Sequence, residues 1–239
     1  MNNTTVIWID KRSKQAFIDN IFNEAGNYYD RFIDITDDIP YGYGERTQVG
    51  HLAQAACLRN YYSIQDYDVS YKEKVEKGNK TRYRPDLRLW IPLEGNHFTT
   101  CCFEIKVDNS DWTPIDALAK TMKPRLLKRL GIAYKQLTGY GDPKEGYYYC
   151  ILVGFRIFYS KSKWKKLGET KRTYQQTLIK LQEQFEHAVT SIRDEYRPNF
   201  LWRYFSSHTA IKRIVDYPNW IPAPGILWAG KIWRNPKVS

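Results

Sequence analysis

The sequence predicts an α/β protein with a mixed central sheet flanked by helices, on three observations. A chain of 239 residues with 42% hydrophobic side chains is long enough to bury one good core. Short β-prone apolar runs are interspersed with segments whose apolar residues recur every three or four positions. No internal repeat, low-complexity tract or proline-serine linker cuts the chain before residue 197. Residues 1–196 therefore read as one α/β domain, with its core at about 45–158. Residues 197–239 read as an aromatic-rich C-terminal extension, helical and then extended, packed on that core.

Taken in order, TTVIWI is a short strand, and Ser13 is placed to cap a helix carrying Ala16, Phe17, Ile21 and Phe22 on one face. Residues 45–61 predict a helix with Val49, Leu52, Ala53, Ala56 and Cys57 turned inward. Three strands follow at 67–76, 81–91 and 98–107, separated by turn signals at Gly78-Asn79 and Gly95-Asn96, which makes an antiparallel meander. Residues 114–138 predict a helix, and the apolar run 147–158 a buried central strand. A helix over 173–196 carries the stripe Tyr174, Leu178, Leu181, Phe185, Ala188, Ile192 and Tyr196, which suits either the core or a partner helix. Residues 200–215 predict a short helix, and the last 22 residues an extended tail.

The net charge of +11 is concentrated in two blocks. Residues 119–135 hold Lys120, Lys123, Arg125, Lys128, Arg129 and Lys135 with no acid, and spacings of three and five let Lys120, Lys123 and Lys128 share one broad face. Residues 156–172, including Lys163, Lys165 and Lys166, add a similar excess. Two basic blocks on a nearly neutral body point to a nucleic-acid surface, because lysine and arginine displace counterions condensed on phosphates.

Other function classes lack support. No apolar run reaches the roughly 20 residues of a membrane span, and the first residues have no signal-peptide core, so a cytoplasmic protein is expected. Cys57, Cys101, Cys102 and Cys150 sit in apolar stretches without a C-x-x-C pair, which suits reduced, buried thiols. The four histidines show no metal-ligand spacing, and no glycine-rich phosphate loop is present.

One strand pair gathers opposite charges: Arg82-Tyr83-Arg84-Pro85-Asp86-Leu87-Arg88-Leu89, then Cys102-Phe103-Glu104-Ile105-Lys106-Val107. Glu104 and Lys106 share a strand face by period two, and pairing through the Gly95-Asn96 turn brings Asp86 beside Glu104. Two carboxylates and an ammonium embedded in apolar strands form a hard-oxygen site suited to magnesium. The same alternation also fits a half-exposed strand.

These residues resemble the PD-(D/E)xK nuclease superfamily, whose core runs helix, three strands, helix, strand. The resemblance covers about residues 45–158 and rests on Pro85, Asp86, Glu104 and Lys106, with Glu45 at the position of the family's frequent helix glutamate. Gln136-Leu137-Thr138-Gly139-Tyr140 looks like the Gln-x-x-x-Tyr signature of some branches, making Gln136 and Tyr140 auxiliary candidates. The resemblance implies a restriction-endonuclease-like fold and a Mg2+-dependent DNA endonuclease, with Mn2+ able to substitute, serving restriction, defence or mobile-element processing. Asp86, Glu104, the Ile105 carbonyl and Glu45 would hold the metal, and Lys106 would orient the attacking water. Lys120, Lys123, Arg125, Lys128, Lys163, Lys165 and Lys166 would bind flanking phosphates. A homodimer, or a partner protein seated on the 173–196 helix, is expected because cutting both strands takes two sites. The alternatives are a nuclease on RNA or on single-stranded or branched DNA within a larger complex, and an inactive nucleic-acid-binding or scaffold protein of the same fold.

Overall fold

In a computed structural model, residues 4–65, 85–108, 113–138, 146–158, 170–215 and 224–235 are described. The strand expected at 67–76, the start of the one at 81–91, the Gly78-Asn79 turn, Tyr140, Lys163, Lys165 and Lys166 lie outside those residues.

Among the described residues seven strands form one continuous mixed sheet: β1 (Thr4–Trp8), β2 (Tyr62–Ile64), β3 (Leu87–Pro92), β4 (Phe98–Val107), β6 (Tyr148–Phe158), β7 (Phe200–Phe205) and β8 (Gly225–Arg234). Their spatial order is β1-β7-β8-β6-β4-β3-β2, and the two-residue β5 (Thr113–Pro114) runs beside the end of β6. β4 and β6 are parallel, and the other pairs along the sheet are antiparallel. Helices α1 (Ala16–Thr36) and α2 (Glu45–Leu58) pack on one face, while α3 (Ile115–Thr138) and α4 (Lys171–Thr190) pack on the other. A short α5 (His208–Val215) follows β7.

β6 is central and buried on both faces, which explains its unbroken apolar run. Within it Gly154 pairs with Trp228, and a Cβ there would stand 2.9 Å from the indole, so the ring occupies the space a side chain would take. The β3–β4 hairpin turns where the sequence places it, with Gly95 at φ 71° and Asn96 at φ 60°.

Several expectations are corrected. Ser13 ends a 3-10 turn capped by Asp10 and does not cap α1, whose N-cap is Gln15. Cys57 is exposed near the end of α2; the other three thiols are buried, and none of the four is in a disulfide. The helix expected at 200–215 is a strand followed by a helix, because Phe200, Trp202 and Tyr204 fill one face of the sheet while Leu201 and Phe205 fill the other. The described strands after residue 197 are not an appendage: β7 and β8 sit inside the sheet, between β1 and β6. The α4 stripe of Tyr174, Leu178, Leu181 and Phe185 is consumed by the chain's own core, and the helix ends at Thr190, short of the buried Ile192. No described helix is long and apolar enough to cross a membrane.

Candidate active site

The site lies where β4 outruns its neighbour. The pairs Leu87↔Phe103, Leu89↔Cys101 and Ile91↔Thr99 join β3 to β4, and β3 stops at Leu87 while β4 continues to Val107. Beyond Phe103 no strand among the described residues receives the N–H groups of the β3-facing edge of β4. Two carboxylates take them instead. The Ile105 N–H donates to Asp86 Oδ2 at 2.7 Å, and the Val107 N–H donates to Glu45 Oε2 at 3.2 Å.

Each acid is placed by its own element. One step past the last β3 pair, the hairpin register sets Asp86 opposite Glu104, as the sequence implied. Glu45 is the first residue of α2, behind Gly44, where a negative charge complements the helix N-terminus. Glu104 and Lys106 project from one face of β4 by alternation, and both are buried, at 1% and 9% exposure.

The three acids converge on one ammonium. Lys106 Nζ lies 2.8 Å from Glu104 Oε1, 3.4 Å from Glu45 Oε1 and 3.6 Å from Asp86 Oδ2. Burial pushes the Lys106 pKa down, but the negative charges of Glu104, Asp86 and Glu45, with the Glu104 hydrogen bond, outweigh it and leave the pKa above the ordinary lysine value. Lys106 is therefore charged at neutral pH and suited to orienting an oxygen, not to removing its proton. With all groups ionised the cluster carries two negative charges in excess.

That excess, together with the oxygen donors, fits a divalent cation. The Ile105 carbonyl fits as well. A strand residue directs its N–H and C=O to the same side, so this carbonyl faces the Asp86 edge, where the next residue back, Pro85, has no N–H to bond it. Among the described residues no group of three or more His, Cys, Asp or Glu side chains is arranged around a single ion position. The carboxylates are instead organised around Lys106.

A second layer of charge fixes the exit of β4, and the sequence reading missed it. Asp108, 2% exposed, forms salt bridges with Arg125 and, at 3.8 Å, with Arg129 of α3. Arg156 of β6 donates through Nη2 to the Asp108 carbonyl at 3.1 Å and through Nη1 to the Gly42 carbonyl at 2.9 Å. It thereby ties the turn ahead of Glu45 to the end of the Lys106 strand. The available signal was an acid two residues after the lysine, opposite an arginine on an otherwise apolar strand.

The basic residues of α3 divide among several faces. The buried row Met122, Leu126, Leu130, Ala133 and Leu137 defines the inner face, and at about 100° per residue Lys120, Lys128 and Lys135 fall on the outer, exposed side. Lys123 leaves the face expected for it and reaches the Ser191 carbonyl at 3.5 Å, just past α4. Arg125 and Arg129 occupy the opposite flank, held by Asp108. Gln136 lies on that flank too, half-buried, with its Oε1 lacking a hydrogen-bond partner among the described residues.

Compared with protein-family models, curated proteins and solved structures, the chain matches none.

Proposed function

We propose that this protein is a metal-dependent phosphodiesterase acting on nucleic acid, most simply a DNA endonuclease of restriction-endonuclease-like fold. The observation that carries the reading is the convergence of Glu45, Asp86 and Glu104 on Lys106, with two negative charges in excess beyond the last described β3–β4 pair. Asp86, Glu104 and the Ile105 carbonyl, with Glu45 directly or through water, would hold Mg2+ or Mn2+. A bound divalent ion supplies Lewis-acid polarisation of the phosphoryl group and an acidified water. Lys106 then holds the attacking oxygen in line and offsets charge on the phosphate as the P–O bond breaks. Asp86 and Glu45, each anchored by a backbone N–H of β4, keep their carboxylates from turning away. The exposed lysines of α3 contribute phosphate contacts that hold the strand without reading its sequence. Duplex cleavage would use two copies of the chain, one per strand.

Incubation with plasmid, single-stranded DNA and RNA, each with Mg2+ or with EDTA, tests the reading. Cleavage of at least one substrate that needs the metal and is lost in Glu104→Gln is expected. No cleavage of any of them, or cleavage indifferent to EDTA, overturns it.

A further inference from the structure

A cavity of about 200 Å³ opens on the α3–α4 side of the sheet, between the first half of α4, the end of β7 and the start of α5. Its lining includes the cations Lys171 and Arg203, the imidazole of His208 and the rings of Tyr174 and Phe205, and it contains no carboxylate. Concave, mainly apolar pockets with a few polar groups are the usual form of a small-ligand site.

Arg203 gives the cavity its chemistry. It stands on β7 between Leu201 and Phe205, on the face those two bury against α4, where an apolar residue would be expected. The guanidinium forms no salt bridge among the described residues. Burial pulls its pKa down, and the facing acid that offsets this, Glu186, is already hydrogen-bonded by Gln182 at 2.5 Å. A half-buried guanidinium with donors to spare is suited to an oxyanion that accepts bidentately. Lys171 adds a second cation at the start of α4.

The remaining walls fit a flat, apolar body attached to that anion. Tyr174 is fixed by donating its hydroxyl to the Ser206 carbonyl at 2.7 Å, and its ring lies 5.5 Å from that of His208. Phe205 closes one side and Gln175 offers an amide. At about 200 Å³ the open cavity encloses part of one nucleotide and leaves the remainder at its mouth.

The location relates the cavity to the carboxylate site. The β7 terminus pairs Phe205 with Gly225 of β8, Gly225 pairs with Ile157 of β6, and the Asp108 N–H bonds the Gly154 carbonyl of the same strand. Both sites therefore lie toward one end of the sheet, on the face that carries Glu104 and Lys106, three strand spacings or roughly 14 Å apart across the sheet and offset along it, since Lys106 stands level with Val153 and Phe205 with Ile157.

We propose that this cavity binds a nucleoside monophosphate unit, with Arg203 and Lys171 on the phosphate and the Tyr174 and Phe205 rings against the base. In its fullest form, in which the unit belongs to the strand being cut, the proposal rests on the nuclease reading above. Isothermal titration of the full chain with dAMP, deoxyadenosine and inorganic phosphate tests it. Binding of dAMP is expected, with the nucleoside and free phosphate each weaker by about tenfold or more. Arg203→Gln should weaken dAMP by a similar factor, and exposed Lys171→Gln, which the fold tolerates more easily, should weaken it less but measurably. Displacement of dAMP by a 5′-phosphorylated oligonucleotide would assign the unit to the substrate strand. Binding without displacement would support a site for free nucleotide, independent of cleavage. If dAMP binds no better than phosphate alone, or if both variants bind it like the unaltered chain, the proposal fails whatever the cleavage assays show.

Discussion

The Asp86 carboxylate accepts the Ile105 N–H at 2.7 Å, one residue after Pro85, which the hairpin register places opposite Ile105. The pairs 87↔103, 89↔101 and 91↔99 present their N–H and C=O groups to one another, and 85↔105 would be the next in the series. Proline cannot donate, so the ladder stops there and the Ile105 carbonyl is spared. Pro85→Ala should let β3 lengthen by one rung. Its cleavage rate is expected to fall about tenfold or more while its thermal stability holds or rises, since the change adds a hydrogen bond worth about 1 kcal/mol. Full activity in this variant would remove the carbonyl from the proposed ligand set.

Lys106 holds the cluster together as well as serving its proposed chemistry. Lys106→Met leaves Glu104 buried without its nearest cation and three carboxylates facing one another, so the metal-free protein should lose about 3 kcal/mol of stability. Cleavage should vanish. Adding Glu104→Gln should recover part of the stability and none of the activity. Chemical denaturation in EDTA checks the first effect and a nuclease assay the second; a stable, active Lys106→Met would place the chemistry elsewhere.

His51 predicts acid sensitivity remote from the site. It is 7% exposed among the rings of Tyr28, Tyr29 and Phe32, its Nδ1 has no partner among the described residues, and burial pushes its pKa down to about 4. The unfolded chain titrates this group near 6.5, so between the two values the unfolded state binds the extra proton. The contribution is fully present above pH 6.5 and is lost as pH falls toward 4, reaching about 3 kcal/mol. His51→Phe should flatten unfolding free energy against pH across that window. An unchanged profile would mean the imidazole charges in place.

The outer face of α3 makes a quantitative prediction for nucleic-acid binding. Lys128→Ala/Lys135→Ala should weaken binding to all sequences alike and lower the slope of log K against log salt by about 1.8 on duplex DNA. Lys123→Ala, removed from that face by its contact with the Ser191 carbonyl, should change the slope less. Equal slopes for the double variant and the unaltered chain would reduce the face to solvated charge.

What the sequence revealed and what it hid follow from how each signal is written. β4 was legible at 98–107 because Gly95 and Asn96 mark its turn, and the facing of Asp86 and Glu104 follows from that register. From the residues alone Glu45 was readable only as a helix start, and the resemblance alone put it with the acids, since nothing local says that α2 begins against Val107. β7 and β8 were obscured because both their faces are buried: a run such as Phe200-Leu201-Trp202 has no polar alternation to mark a strand. The pairing of Asp108 with its arginines was missed for another reason. The acid and its partners are separated by 17 to 48 residues, and only the packing of α3 and β6 around the end of β4 brings them together.

Because side chains and not a neighbouring strand hold the Ile105 and Val107 N–H groups, these two amides should exchange with solvent deuterium on different terms from the rest of β4. Amides inside the β3 pairing open only when the sheet does, whereas these open whenever a carboxylate rotates. In Asp86→Asn and Glu45→Gln their exchange should quicken while Cys101 and Phe103 stay protected. The backbone of one strand thus contains its own gauge of whether the acids are in place. It can be read by amide exchange before any substrate is known.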